Sequence, residues 1–128
     1  MRYLLDTHLL IWLAFDDSKL PQEVADIHED PENDLYFSVI SRWETAIKQA
    51  LGRKDFQADA GLLRADLLNE GYKEILVDSR HALEVRNLPQ FHRDPFDRML
   101  IAQSRVEGLV LLTSDEEICK YQGTVKRV

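Results

Sequence analysis

DPFDRMLIAQSRVEGLVLLTSD, Asp94 to Asp115, reads as a complete helix–turn–strand unit. Asp94 followed by Pro95 is a helix start, because a carboxylate caps the free N–H groups and proline at the first helical position lacks only a donor that would go unused. The pattern predicts a helix from Pro95 through Val106, stopped by Gly108. Residues 109–112 form the most strongly apolar run in the chain, short and bounded by turn residues, and predict a buried strand. Thr113, Ser114 and Asp115 follow it as a turn that places an acid just beyond the strand end.

Working outward, short apolar runs alternate with helical patterns. Strands are predicted at 3–5, 35–39, 74–77, 109–112 and 124–127. Helices are predicted at 9–15, 22–29, 41–51, 57–70, 79–87 and 95–106, with a short one at 115–119. Pro21 opens the second helix, Ser41 the third and Ser79 the fifth. Such alternation is the pattern of βαβ units, so residues 1–128 are expected to form one α/β domain whose mainly parallel sheet is flanked by helices.

Composition agrees. A chain of 128 residues is the size of a single domain and should fold to an accessible area of roughly 7,000 Å². Hydrophobic residues at 45% and charged residues at 30% exclude disordered and fibrous classes. Cys119 is the one cysteine, which excludes an internal disulfide framework and a multi-cysteine zinc site and favours a reducing, cytoplasmic setting. No apolar run reaches the ~18–20 residues of a membrane helix, so no membrane association is expected. The opening MRYLLDTHLLIWLAF is interrupted by Asp6 and His8 and no small-residue cleavage site follows it, so it is read as strand and helix rather than signal peptide.

The net charge of −7 argues at first against a nucleic-acid partner. Yet residues 16–34 hold eight acids against one base, Lys19, and carry that whole excess. Elsewhere acids and bases balance. Basic clusters survive at Arg42, Lys48, Arg53 and Lys54, and at Arg86, Arg93 and Arg98 beside His92.

Ligands of open parallel sheets bind beyond the carboxyl ends of the strands. Asp6 follows the first strand, and Asp115 follows the fourth. Glu44 falls in the first turn of the helix after the second strand, and Asp94 and Asp97 open the helix at 95–106. Acids gathered in one pocket raise one another's pKa and are costly to bury, and a divalent cation resolves that conflict. An all-oxygen donor set suits Mg2+ or Mn2+, which points to phosphodiester hydrolysis. Each acid has a plainer reading. Asp6 and Asp94 can be helix caps, Ser41 and Glu44 a capping box, and Thr113 to Asp115 a simple turn. His92 reads as a surface loop residue, Trp12 and Trp43 as core, and Cys119 as a small buried hydrophobe.

The blocks RYLLDTH, FSVISRWETAIK, HRDPFDRMLIAQ and LLTSDEEI, in this order and over essentially the whole chain, resemble the PIN-domain ribonucleases, and most of all the VapC-type toxins of toxin–antitoxin pairs. The resemblance implies a five-stranded parallel sheet between helices and Mg2+- or Mn2+-dependent cleavage of RNA. By position it implies metal-binding, catalytic roles for Asp6, Glu44, Asp97 and Asp115, with Ser38, Thr113 and Asp94 supporting them. It further implies a cognate antitoxin laid across the site and a homodimer. Arg42, Lys48, Arg93 and Arg98 are candidate RNA-phosphate contacts, or else surface charges and internal partners, Asp94 with Arg98 being one such i, i+4 pair. Two other classes stay open: a metal-dependent phosphatase or phosphotransferase with Asp6 as nucleophile, and a non-catalytic protein-binding module.

Overall fold

Tyr3, Leu4 and Leu5 are all buried, which puts β1 (Arg2–Leu5) at the centre of a sheet covered on both faces. The computed structural model describes residues 1–52 and 57–128, so Arg53 and Lys54 lie outside the described residues. After β1 come α1 (Thr7–Ala14), α2 (Gln22–Glu29), β2 (Asp34–Ser38), α3 (Val39–Ala50), α4 (Ala60–Asn69) and β3 (Lys73–Ile75). The chain continues through α5 (Ser79–Glu84), α6 (Pro95–Glu107), β4 (Val110–Thr113) and β5 (Val125–Arg127), with single 3-10 turns at Val85–Asn87 and Ile118–Lys120.

Five parallel strands lie in the order β3-β2-β1-β4-β5, matching the expected α/β architecture. Alternate residues divide the core. Tyr3, Leu5, Phe37 and Leu112 face α1, α2 and α4 through Leu9, Leu10, Val24, Leu63 and Leu67. Leu4 and Leu111 face the other layer, built from Ile40, Leu100, Ile101 and Tyr121. Side chains of a strand point alternately to opposite faces, so apolar residues at every position require a covering on each. The accessible area is 7257 Å², close to what the length alone predicts.

The strand order reverses between β1 and β4, and the crevice at such a switch point is where open sheets bind ligands. Register fixes what meets there. Leu5 pairs with Leu112, and the Asp6 N–H donates to the Leu112 carbonyl at 3.1 Å, so the residues after β1 and β4 stand side by side.

Several local expectations need correction. Helix α3 begins at Val39, not Ser41: Ser38 is its cap, accepting the Ile40 N–H at 3.0 Å. Ser41 instead lies buried within the helix, its hydroxyl accepting from Thr7 Oγ1 at 2.9 Å. Hence Glu44 sits in the second turn and belongs to no capping box. Asp78, not Ser79, caps α5, forming a capping box with His81. Asp59 caps α4 at Ala60, so residues 57–59 precede that helix. Helix α2 has the expected bounds, Gln22 to Glu29, with Pro21 at its cap position.

Candidate metal and nucleic-acid site

Asp6, Asp94 and Asp115 each owe their position to a local structural duty. Asp6 is only 2% exposed; its Oδ1 accepts the Leu9 N–H at 2.9 Å as the cap of α1, and its Oδ2 accepts the Thr113 hydroxyl. Thr113 Oγ1 in turn accepts the Asp115 N–H at 3.0 Å. One threonine therefore ties the ends of β1 and β4 together. Asp115 Oδ1 accepts the Glu117 N–H at 2.8 Å, fixing the turn before Ile118–Lys120. Asp94 caps α6 through the Phe96 N–H at 2.8 Å and the Asp97 N–H at 3.3 Å. The plainer reading of Asp6 and Asp94 as caps is thus correct, and it leaves their carboxylates at the site.

Ser38 carries two roles at once. Besides capping α3 it donates from Oγ to Gln103 Oε1 at 2.6 Å, joining α3 to α6 behind the acids. Glu44 is buried, and its Oε2 accepts from Lys48 Nζ at 3.0 Å. Its Oε1 is also buried and has no hydrogen-bond partner. An unpartnered buried oxygen is costly, and on a charged group the cost is larger still.

Electrostatics links the acids in pairs. Burial pushes the Asp6 carboxyl above its ordinary range and Asp115 adds to the rise, while Thr113, the Leu9 N–H and His8 pull the other way. Asp97 is pushed up to about 7, first by burial and then by Asp94 and Glu44, against the hydrogen bond and charge of His92. Like charges that raise one another's affinity for protons also raise it for a cation. The donors are hard oxygens, and Glu44 Oε1 still has capacity to accept, so the residues fit a divalent ion of the Mg2+ class. Among the described residues no three of Asp6, Glu44, Asp97 and Asp115 bring ligand atoms within 4.8 Å of one another. The ligand atoms that do converge here belong to His92, Asp94 and Asp97, all within 4.8 Å of one another.

The basic candidates fare differently. Arg98 is only 9% exposed, and its guanidinium donates to the Val85, Pro89 and His92 carbonyls and to the Tyr121 hydroxyl. It is a buried brace, neither a phosphate contact nor the side-chain partner of Asp94. Arg42 donates to Glu74 Oε2 at 3.0 Å and is engaged within the chain. Lys48 lies against Glu44, and Arg93 is exposed.

Three further residues depart from expectation. His92 is half-buried with Nε2 2.7 Å from Asp97 Oδ2, part of the site rather than a loop bystander. No signal in the sequence marks it, because the contact is made by a loop that turns back onto α6. Trp43 is not core: it is 58% exposed and packs edge-on against Phe96 with ring centroids 5.2 Å apart. Cys119 is half-buried, and burial pushes its thiol up. A second cluster, unforeseen from sequence, joins Asp78, His81 and Glu107. Arg80 already donates to both of its carboxylates, and His81 bonds to the Asp78 N–H and Glu107, so it is a closed ion-pair network.

Comparison with known proteins gives the same outline. No curated protein matches the chain. Among solved structures it is similar to VapBC2 from Rickettsia felis bound to a promoter DNA fragment, at 12% identity and a TM-score of 0.69, covering 99% of this chain and 98% of that one. VapBC-1 from nontypeable Haemophilus influenzae is similar at 22% identity and a TM-score of 0.63, covering 99% and 98%. VapBC-5 from Mycobacterium tuberculosis, a member of the VapBC family of toxin-antitoxin systems, is similar at 18% identity and a TM-score of 0.63, covering 99% and 97%. The PIN domain family model matches residues 3–123, nearly the whole chain, and with the parallel sheet and the acids at its switch point this establishes that the chain belongs to the PIN-domain family.

Proposed function

We propose that this protein is a Mg2+- or Mn2+-dependent endoribonuclease and the toxin of a toxin–antitoxin pair, working in the cytoplasm. The observation that carries the reading is Glu44 Oε1, buried and unpartnered beside a second acid, Asp97, whose charge it opposes. Asp6, Asp97 and Asp115 are the candidates to hold the ion, directly or through water. A bound divalent ion supplies Lewis-acid polarisation of the scissile phosphate and an activated water. Glu44 keeps Oε1 available to take a proton from the attacking water, while Lys48 holds Oε2. Thr113 keeps Asp6 and Asp115 in register, and Ser38 braces α3 against α6. Hydrolysis on this scheme leaves 5′-phosphate and 3′-hydroxyl ends.

Support for an antitoxin partner comes from the similar toxin–antitoxin complexes and from a groove of about 440 Å³ beside α1, α2 and α4. Leu13, Leu20 and Leu67 line it together with Asp16, Asp66 and Glu70, a surface matched by an amphipathic segment with basic residues. Trp43 and Ile47 on α3 and Leu51 at its C-terminal cap form a separate exposed row at i, i+4 and i+8, which favours a further protein contact such as a homodimer.

The test is purified protein incubated with total RNA in Mg2+ or in chelator, alongside Asp97→Asn. Cleavage in Mg2+ alone, absent from the variant, is the expected result. Cleavage that survives chelator or the variant contradicts the proposal.

A further inference from the structure

His92 and Asp97 meet at 2.7 Å, through Nε2 and Oδ2. A carboxylate that serves as a metal ligand is ionised and accepts only, so Nε2 is the donor in that state. Committing Oδ2 to the imidazole leaves Oδ1 as the oxygen turned to other partners. Hydrogen-bond partners of ligating groups fix ligand orientation and tune affinity.

What holds His92 there is a buried cation, Arg98, that has no carboxylate partner among the described residues. The Arg98 guanidinium donates to the His92 carbonyl at 3.3 Å, to Pro89 at 2.9 Å, to Val85 at 3.2 Å and to the Tyr121 hydroxyl at 3.0 Å. Tyr121 closes the loop by accepting the His92 N–H at 3.0 Å and donating to the Pro89 carbonyl at 2.9 Å. Phe91 packs edge-on against the same tyrosine at 5.4 Å between centroids. Burying an arginine among carbonyls is expensive, and a helix such as α6 does not need it for its own stability. Its product is a fixed path for residues 85–92, which ends by delivering one imidazole to one carboxylate.

We propose that His92 is the positioning residue for Asp97, orienting its carboxylate for the divalent cation, and that Arg98 and Tyr121 act through His92 by fastening the segment before it. The inference rests on the metal-dependent reading above, and neither Arg98 nor Tyr121 touches the ion or the RNA.

The experiment measures Mn2+ binding to the metal-free full chain by isothermal titration calorimetry at pH 7.5, with melting temperature recorded in chelator for each variant. His92→Ala is expected to weaken Mn2+ by ~10- to 100-fold, the range for loss of such a partner. His92→Gln places an amide donor near the same point and should recover most of that loss. Tyr121→Phe, which keeps the ring and removes the hydroxyl, should fall between wild type and His92→Ala. Those shifts should appear in variants whose metal-free melting temperature stays near that of wild type. Arg98→Met is expected to lose both binding and stability, so the milder Tyr121→Phe keeps the test of the brace open. Wild-type affinity in His92→Ala, or a His92→Gln as weak as His92→Ala, would overturn the inference while leaving the metal reading intact. A wild-type chain that binds no Mn2+ would overturn both.

Discussion

At the scale of single residues, Asp97 is the group whose proton affinity differs most usefully from that of the unfolded chain. Its ordinary value is 3.8 and the fold raises it to about 7. Between those values the folded state holds a proton that the unfolded state has released, so stability falls as pH rises through this window. In chelator, the melting temperature should therefore decline between about pH 4 and 7. Asp97→Asn should flatten that decline and melt higher than wild type at pH 8, because it removes a charge confined beside Asp94 and Glu44. A variant that melts lower than wild type at pH 8 would count against burial of that charge, with the neighbouring acids adding to it, as the cause of the rise. Asp6, Asp97 and Asp115 stand where the sequence puts them, after a strand or at a helix start, whereas Glu44, expected in the first turn of α3, lies in its second. The histidine was not legible, since nothing local says that a loop residue turns back onto α6.

Among the elements, α6 shows how one residue serves fold and site together. Asp94 caps the helix and also repels Asp97. Asp94→Ala should cost about 1 kcal/mol of stability by denaturant unfolding, whereas Asp94→Asn keeps a capping oxygen and should stay within about 0.5 kcal/mol of wild type. Equal losses from the two would show that the cap is not what Asp94 contributes. Boundaries of α6 were readable because Asp-Pro and Gly act locally, Gly108 taking the left-handed conformation at φ 66° that ends the helix. The start of α3 was not readable in the same way. Ser38 and Ser41 are both competent caps, and what chooses between them is the distant Thr7 hydroxyl that claims Ser41. Exposure of Trp43 has a similar origin: the apolar side of α3 that reaches the core carries Ile40, and Trp43 is left to pack on Phe96. Arg98 reads as an ordinary surface cation until the carbonyls of Val85, Pro89 and His92 are folded around it.

For the molecule as a whole, charge and topology set what the site can do. The parallel order and both apolar faces of the sheet were legible from alternation, and the reversal between β1 and β4 explains why Asp6 and Asp115, distant in sequence, meet through Thr113. Of the four candidate phosphate contacts, Arg42 and Arg98 are engaged internally and Lys48 lies against Glu44, which leaves Arg93 exposed on a chain of net charge −7. Single-stranded RNA binding to Asp97→Asn in Mg2+ should therefore depend weakly on salt, with a log–log slope of about −0.7 to −1.4, as for one or two neutralised phosphates. A much steeper slope would reveal a basic surface supplied by another copy or by a different face. No helix among the described residues is long and apolar enough to cross a membrane. The account depends most on a cation relieving the repulsion of Asp6 with Asp115 and of Asp97 with Asp94 and Glu44, and the most direct test is melting temperature against Mn2+ concentration at pH 7.5 for wild type, Asp6→Asn and Asp97→Asn. Ligand that binds only the folded state raises stability by RT ln(1 + [L]/Kd). The wild-type melting temperature should climb steadily with Mn2+ while both variants stay flat. An unchanged wild type, or the same climb in all three chains, would contradict it.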